Sequence, residues 1–358
     1  MKNTLLCVLA AVCLLTGCAA NKTQQPETNT QMSAEKTAAA KVLDTPASES
    51  VFAMDTYMTV TAYSGNGSKA VNESIAAIKE LESLWSVNDK TSDIYRVNTS
   101  SAAVKVDSET AELLSFALEM YRDTNGVLDI TLYPVLREWG FTTGNYTVPS
   151  ADIISEKLKH VGADKVRLNN NTVSTPEGVM VDFGSVAKGK TGDRIAEIMR
   201  ENGVDSALMD LGGNIQAVGR KTNGNKWKVG LKNPYSEDYF AVLEIEDCAV
   251  ITSGGYERYF EQDGETYWHI LDPKTGRPAK NGLISVTIIG KKGLLCDALS
   301  TALFVMGENS AVNYWRTHKD FEFVMVTADN RVLVSEGIED SFTAKGFFEK
   351  IEVIDCEG

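Results

Sequence analysis

Asp297 and Thr301 are the pair of side chains whose types and spacing most directly suggest chemistry. They lie four residues apart in the segment DALSTALFVMG, where apolar residues recur at helical spacing. Such residues share one face of a helix, so a carboxylate and a hydroxyl would point the same way. Two hard oxygen ligands suit Mg²⁺ better than zinc. We expect the helix to begin at Asp297, although taken alone the pair is more simply explained as a helix cap and a helix-face hydroxyl.

His269 is one of only three histidines in the chain, and it stands between two strong structural signals. Before it, aromatic residues flank Asp263-Gly264, which predicts a β-hairpin. After it, Pro273 and Gly276 turn the chain within the polar segment DPKTGRP. The hairpin would therefore hold His269 at the end of its return strand, although a lone histidine after a strand is more often structural than catalytic.

The order of these segments resembles that of a known family. The hairpin TSGGYERYF, the corner HILDPKTGRP and the helix DALSTALFVMG follow one another as they do in the ApbE family of FAD:protein FMN transferases. The likeness runs from about Val51 to Gly307 and includes MDT at Met54, LESLWS at Leu81, LDITLYPVLREWGF at Leu128 and VDFGSVAKG at Val181. Several separated motifs in the family's order are far more specific than one. Asp55 departs from the pattern, since many members have glycine there.

The resemblance implies a role for each matching residue. Met54 and Trp85 would line the flavin pocket as an apolar and aromatic surround. His269 resembles the family's proposed general base, and Ser185 matches a metal-contacting position where the backbone carbonyl is the expected ligand. The other implied FAD contacts are Val127, Leu128, Asp129, Asp182, Lys188 and Leu271, and the other implied metal ligands are Asp297, Thr301 and, more weakly, Ser300.

The implied reaction is Mg²⁺-dependent cleavage of FAD, with FMN passed through a phosphoester bond to a threonine hydroxyl of another protein and AMP released. A divalent ion can polarise a pyrophosphate, and histidine offers a base with a pKa near neutrality. The implied acceptors are membrane-bound subunits of electron-transfer or ion-pumping complexes, or extracytoplasmic flavoproteins. Two alternatives remain open: an FAD pyrophosphatase that makes FMN and AMP, and a lipoprotein that only binds or stores FAD.

The composition is that of a globular protein with an acidic surface. The chain has 358 residues, 43% of them hydrophobic and 23% charged, and its formal net charge is −14. This length allows one large domain or two modest ones. The acidic balance disfavours nucleic acid or anionic lipid as the main partner. A phosphorylated ligand remains compatible if a metal, backbone amides or local cations hold it.

The start of the chain predicts a leader and a tether. Residues 1–17 have the basic start and apolar run of a signal peptide, and LTGC resembles a lipobox, which indicates a lipoprotein. We therefore expect Cys18 to be lipidated and the protein to lie in the cell envelope, extracytoplasmic and anchored to a bacterial membrane only through lipid. A plain leader with a chance cysteine is the alternative. Residues 18–48 predict a disordered tether, and residues 49–358 would form the flavin transferase domain.

The pattern of hydrophobic residues predicts an α+β fold of mixed, largely antiparallel sheets with packed helices, because strands and helices do not alternate as regular βαβ units. Leu211-Gly212-Gly213-Asn214 lacks the GxGxxG pattern, which disfavours a Rossmann fold. Predicted elements include a strand over Val51–Tyr63, a helix opened by Ser68, a short buried strand over Met180–Ser185, a helix over Lys190–Asn202, and a hairpin pairing Phe323–Thr327 with Val332–Ser335.

Overall fold

A computed structural model describes residues 40–357 of the chain. Its strands are β1 (Val42–Ala53), β2 (Thr56–Ser64), β3 (Val104–Lys105), β4 (Arg167–Asn169), β5 (Thr172–Ser174), β6 (Ser206–Leu211), β7 (Ile215–Gly219), β8 (Trp227–Lys232), β9 (Tyr239–Ile245), β10 (Ala249–Gly254), β11 (Tyr259–Gln262), β12 (Glu265–Trp268), β13 (Leu271–Asp272), β14 (Arg277–Pro278), β15 (Leu283–Gly290), β16 (Glu322–Thr327), β17 (Arg331–Ser335), β18 (Phe342–Ala344) and β19 (Lys350–Ile354). Its α-helices are α1 (Gly67–Trp85), α2 (Asp93–Thr99), α3 (Ser108–Asp123), α4 (Tyr133–Glu138), α5 (Ala151–Leu158), α6 (Ala187–Glu201), α7 (Gly293–Met306) and α8 (Glu308–His318).

A nine-stranded sheet forms the centre of this part of the chain, in the order β1-β2-β6-β7-β10-β15-β16-β17-β19. Its neighbouring strands are antiparallel except for the parallel pair β17–β19. Two three-stranded sheets, β18-β9-β8 and β3-β5-β4, and two small hairpins, β11–β12 and β13–β14, complete the strands. The prediction of an α+β fold with largely antiparallel sheets is confirmed.

Helices cover one face of the large sheet, and the sheet β18-β9-β8 covers the other. Side chains alternate between the faces of a strand, and β10 shows both sides. Ala249 and Ile251 pack in the apolar cluster that contains Phe304 of α7, whereas Val250 packs in the cluster that contains Trp227 of β8. A further cluster joins α1 and α6 to β1, β2 and β6. Because both faces of the sheet are covered, the predicted site residues can reach solvent only at an end of the sheet, where the strands are followed by turns.

The predicted strand over Val51–Tyr63 is wrong, because the chain reverses direction inside it. β1 and β2 form a hairpin whose turn residues are Met54 and Asp55, both with positive φ, at 50° and 60°. Two consecutive residues with positive φ form a type I′ turn, whose backbone twist matches the right-handed twist of the two strands that it joins. The usual glycine signal is missing here, so the sequence pattern reads as one uninterrupted strand.

The hairpin also moves the start of the folded region. β1 begins at Val42, so residues 42–48 belong to the large sheet and not to a tether that ends at residue 48. Residues 1–39, with the predicted signal peptide, Cys18 and most of the predicted tether, lie outside the described residues. Within residues 40–357, no helix combines the length and apolar character needed to cross a membrane.

Three predicted helix starts are displaced toward the N-terminus. α7 begins at Gly293 and not at Asp297, because Asp193 of α6 accepts hydrogen bonds from the backbone N–H groups of Gly293 (2.6 Å) and Leu294 (2.9 Å). These are two of the donors that an N-cap side chain would otherwise satisfy. α6 begins at Ala187 and α1 at Gly67, each a little before its predicted start.

The predicted strand over Met180–Ser185 is also wrong, although Val181 and Phe183 are buried as expected. The side-chain amide of Asn98 takes the place of a neighbouring strand. Its Nδ2 donates to the carbonyl of Val181 (2.8 Å), and its Oδ1 accepts from the N–H of Val181 (2.7 Å). The segment is thus held extended without a β-ladder, and it leads directly into the turn before α6.

Candidate functional site

Asp297 is buried in the middle of α7, where two donors fix its carboxylate. Oδ2 accepts from the backbone N–H of Gly189 at the start of α6 (2.8 Å), and Oδ1 accepts from Nδ2 of Asn214 (3.0 Å). A carboxylate can accept about four hydrogen bonds or metal contacts, so each oxygen keeps a free lone pair. The carboxylate is therefore held in one orientation with coordinating capacity left.

α6 and α7 hold each other through a reciprocal arrangement, which we call the helix clasp and define by Gly189, Asp193, Gly293 and Asp297. The N–H of Gly189 binds the carboxylate of α7, and the carboxylate of Asp193 binds the N–H groups at the start of α7. Between these bonds the two glycines bring the backbones together. A Cβ on Gly189 would lie 2.6 Å from the Cβ of Asp297 and would also meet the carbonyl oxygen of Gly293. Only glycine fits at this contact.

Thr301 lies one turn beyond Asp297 on the same face of α7, as predicted. Its hydroxyl is 3.3 Å from that of Ser253, the penultimate residue of β10, whose hydroxyl is also 2.8 Å from that of Ser300. Ser300 donates to the carbonyl of Asp297 (2.9 Å), so its oxygen accepts from Ser253. Ser300 is thus fully engaged and buried, whereas Thr301 can donate to Ser253 and keep its oxygen lone pairs. Thr301 suits a hard cation better than Ser300 does.

The donor set around Asp297 fits a magnesium ion in chemistry. A carboxylate and a hydroxyl are the hard oxygen ligands that Mg²⁺ takes from proteins, and Mg²⁺ usually completes its coordination with water and substrate phosphates. Within residues 40–357, no group of three or more His, Cys, Asp or Glu side chains could hold a metal. Gly189 and Asn214, which hold the carboxylate, also line a narrow crevice together with Lys188. The arrangement suits a weak protein site that a phosphorylated substrate completes.

His269 follows the hairpin β11–β12, whose turn is Asp263-Gly264 as predicted, and it is half-buried. Both its backbone N–H and its ring Nδ1 lie against the carbonyl oxygen of Arg258, at 3.1 and 3.2 Å. A carbonyl can only accept, so Nδ1 carries the proton and Nε2 is left with a lone pair. Burial, with smaller contributions from the positive charges of Arg258 and Lys188, lowers the pKa of His269 to about 4, although the hydrogen bond to the Arg258 carbonyl opposes the decrease. The expected pKa near neutrality is therefore wrong for His269. The ring is neutral near pH 7, and Nε2 can accept a proton as a weaker base than an ordinary histidine.

Charged residues from three segments lie around His269. Arg258 forms an ion pair with Asp55 in the β1–β2 turn, with 3.7 Å between Nη2 and Oδ2. Asp182 is within electrostatic reach of Arg258, Asp55 and Lys188, and its carboxylate accepts from the N–H of Gly184 (2.8 Å). Burial raises the pKa of Asp182 in spite of that hydrogen bond and the two cations. The predicted residues Asp182 and His269 thus share Arg258 and the predicted residue Lys188 as charged neighbours.

Met54 and Trp85 lie at the same end of the sheet. The Met54 backbone N–H donates to Glu82 (2.7 Å), and its sulfur is 3.8 Å from the hydroxyl of Thr191 in α6. The ring of Trp85 meets that of Phe183 edge to face, at 6.2 Å between centroids. Within the described residues, the buried Nε1–H of Trp85 has no hydrogen-bond acceptor. An unpaired buried donor costs about 1–3 kcal/mol, so a ligand acceptor at this position would be favoured.

The remaining predicted residues are placed less directly. Leu128 and Leu271 are buried, and Val127 and Ser185 are half-buried. Asp129 is buried, but its carboxylate accepts from the N–H (2.8 Å) and hydroxyl (2.5 Å) of Thr131 in its own turn. Burial raises the pKa of Asp129, while these bonds oppose the increase. The Asp129 carboxylate also has a hydrogen bond from the backbone at Ala163. The link to the site runs through the backbone, where the N–H of Asp182 donates to the carbonyl of Ile130 (2.9 Å).

Four residues that support the candidate site were not predicted. Asn214 and Asp193 hold Asp297 and the start of α7, Ser253 contacts Thr301, and Arg258 contacts His269 and Asp55. Asn214 stands in a segment that reads as a simple turn, and Ser253 and Arg258 lie within the quoted TSGGYERYF motif. Only Ser253 and Arg258 carried a sequence signal that could have identified them.

Comparisons with known proteins bear on the family and the fold. The model of the ApbE family matches residues 54–325. The chain is 33% identical over 291 residues to an FAD:protein FMN transferase of Treponema pallidum, covering 76% of this chain and 80% of the relative. It is 35% identical over 240 residues to one of Vibrio cholerae, covering 64% and 71%. The crystal structure of the ApbE protein from Thermotoga maritima superposes with a TM-score of 0.78 at 33% identity, covering 83% of this chain and 99% of that chain.

Proposed function

This chain belongs to the ApbE family and is an FAD:protein FMN transferase, and we propose that it uses Mg²⁺ to cleave FAD and attaches FMN to a threonine of an acceptor flavoprotein. The observation that carries the proposal is the state of His269. Its Nδ1–H is engaged by the Arg258 carbonyl, so Nε2 presents a lone pair at neutral pH. A threonine hydroxyl is a weak nucleophile and needs such a base within hydrogen-bond reach.

In the proposed step the threonine hydroxyl gives its proton to Nε2 of His269, and its oxygen bonds to the phosphorus of the FMN half. The bond from that phosphorus to the bridging oxygen breaks, and AMP leaves with the electron pair. His269 then releases the proton to solvent. We assign the orientation of FAD to Lys188 and Asp182, supported by the electrostatic effect of Lys188 on both Asp182 and His269. When bound, Mg²⁺ would be held by Asp297 and Thr301 and would offset the charge of the pyrophosphate.

The proposed reaction can be separated from its two alternatives in one experiment. The protein is incubated with FAD and Mg²⁺, with and without an acceptor apoprotein that the Vibrio cholerae relative modifies under the same conditions. Transfer gives covalent flavin on an acceptor threonine and one AMP for each FMN attached. Free FMN and AMP with or without acceptor would indicate a pyrophosphatase, and unchanged FAD would indicate a binding or storage protein.

Two variants test the assignment of the base. His269→Asn keeps a similar shape but cannot accept a proton near neutral pH, so it should lose on the order of 10²–10⁴ in transfer rate while FAD affinity remains. Asp272→Asn is the matched control, because Asp272 is the nearby carboxylate that could serve instead. Transfer at the wild-type rate by His269→Asn, with loss in Asp272→Asn, would reverse the assignment.

We also propose that the mature protein begins at Cys18 and is anchored by lipid in the cell envelope, where membrane-bound or extracytoplasmic flavoproteins would be its acceptors. The support is the LTGC pattern after an apolar run. Mass spectrometry of the membrane-extracted protein should find acyl chains on Cys18. An unmodified Cys18 in that material would refute the anchor and leave the transferase assignment intact.

A further inference from the structure

The outer face of the β1–β2 hairpin carries exposed aromatic residues close to the site. Phe52 and Tyr57 are opposite each other in the strand register, with side chains 59% and 75% exposed. Their rings touch edge to face at 5.1 Å between centroids. Two large aromatic side chains that contact each other in solvent form an apolar surface already in place for a partner.

The same face continues away from the turn without charge. Residues two apart along a strand share a face, so Ser50 and Thr59 follow Phe52 and Tyr57. Their hydroxyls are 2.9 Å apart. The next cross-strand pair, Ser48 and Thr61, is joined in the same way at 2.8 Å. We call these six residues the hairpin patch; in a chain of net charge −14 they form an uncharged strip.

The hairpin patch leads directly to the candidate catalytic group. The turn that joins Phe52 to Tyr57 contains Asp55, which pairs with Arg258, whose carbonyl holds His269. β1 is also the last strand of the large sheet, so among the described residues its outer edge has no neighbouring strand. Free backbone N–H and C=O groups therefore lie beside the aromatic pair, as in sites that accept an extended peptide.

We propose that the hairpin patch docks the acceptor protein. An uncharged or apolar segment of the acceptor lies across Phe52 and Tyr57, while a different part of its chain delivers the threonine hydroxyl to His269. This inference rests on the proposed function, because flavin transfer requires a polypeptide at Nε2 of His269. A specific protein interface covers about 800 Å² on each partner, far more than the mouth of an active site. The acceptor must therefore cover surface beside the site, and exposed aromatic residues are enriched in such interfaces.

The test compares two double variants of the full chain. Phe52→Ser/Tyr57→Ser removes the aromatic pair without touching the residues of the site. Ile351→Ser/Val353→Ser removes two exposed apolar side chains, 40% and 44% exposed, from β19 at the opposite edge of the sheet. Eight strand spacings separate the two edges, or roughly 38 Å, so the control alters a similar surface far from the patch.

The substrates are FAD, the acceptor apoprotein that the Vibrio cholerae relative modifies, and a short peptide around its modified threonine. For Phe52→Ser/Tyr57→Ser we expect KM for the apoprotein to rise on the order of tenfold, the effect of losing an interface hot spot, with kcat and FAD affinity unchanged. Transfer to the short peptide should not change, because the peptide is too small to cover the patch. The β19 control should behave as the wild type.

An unchanged KM for the apoprotein in Phe52→Ser/Tyr57→Ser would overturn the inference. So would an equal loss with the short peptide, because the patch would then act only by supporting the site. If the wild type is a dimer and this variant is a monomer with an unchanged KM, the hairpin patch binds a second copy of this chain and not the acceptor. If the wild-type protein transfers no flavin to any acceptor, the proposed function fails first and this inference fails with it.

Discussion

FMN transfer should persist in acid far below the usual titration range of histidine. Burial lowers the pKa of His269 from 6.5 to about 4, and the charges of Arg258 and Lys188 contribute. At pH 5 about nine-tenths of such a group is neutral, against roughly 3% of a histidine with an ordinary pKa, a difference of about thirtyfold in active base. Because kcat/KM reports the free enzyme, its acid limb should lie near pH 4.

The assay is the pH profile of kcat/KM for flavin transfer at saturating Mg²⁺, in the wild type and two variants. Arg258→Met removes a cation but keeps the carbonyl that holds Nδ1, so the acid limb should move toward pH 6.5. Arg277→Met, an exposed arginine of β14, is the control and should leave the limb in place. A wild-type limb near pH 6.5, or identical profiles for Arg258→Met and Arg277→Met, would refute the reasoning.

The same shift has a consequence for stability with a defined sign. The folded protein binds a proton at His269 less tightly than the unfolded chain, so the contribution of His269 is complete above pH 6.5 and is lost as the pH falls toward 4. A shift of this size corresponds to about 3 kcal/mol at most. The difference in unfolding free energy between wild type and His269→Asn should therefore change through this window, and a constant difference would contradict the assigned burial of the ring.

Three further predictions concern the supports of the site. Asp297→Asn should abolish metal-dependent turnover at little cost in stability, because Asn214 can turn its amide to pair with the new side chain. Asp297→Ala instead leaves two buried donors unpaired, and each unpaired donor should lower the free energy of unfolding in urea by about 1–3 kcal/mol. Gly189→Ala should destabilise by more than about 2 kcal/mol and weaken Mg²⁺ binding in a calorimetric titration, since its Cβ would meet Asp297. Trp139→Phe should lower the thermal midpoint by several degrees, because the buried Nε1–H donates to the carbonyl of Gly276 (2.8 Å) and stabilises the corner after His269.

Features that depend on neighbouring residues were predictable from the sequence. The hairpin across Asp263-Gly264 forms as predicted, and the predicted pairing of Phe323–Thr327 with Val332–Ser335 is also present, across the turn at Asp329-Asn330. α3 ends at Asp123, and the Asn125-Gly126 pair just beyond it adopts the positive φ that these two residue types favour at helix ends. The shared face of Asp297 and Thr301 follows from their spacing in α7.

Features that depend on distant partners were not predictable. The start of α7 is set by Asp193, and the extended segment around Val181 is held by Asn98. Neither partner is a neighbour in sequence, and no local pattern identifies it. The turn at Met54-Asp55 was missed for a different reason, since two residues without glycine adopt positive φ under tertiary constraint. The roles assigned to the site residues remain predictions that the experiments above test.

The helix clasp makes local opening at Asp297, the proposed metal ligand, a concerted event. Asp297 cannot leave Gly189 without disturbing the glycine contact, and α7 cannot fray at Gly293 without releasing Asp193. Amide hydrogens at the starts of both helices, normally the first to take up deuterium, should therefore exchange slowly and at a common rate. A carboxylate kept in place by two helices that open only together is already ordered before an ion arrives. Little conformational entropy is then lost when an ion binds to the carboxylate. A site with few protein ligands can therefore still select an ion by its coordination geometry.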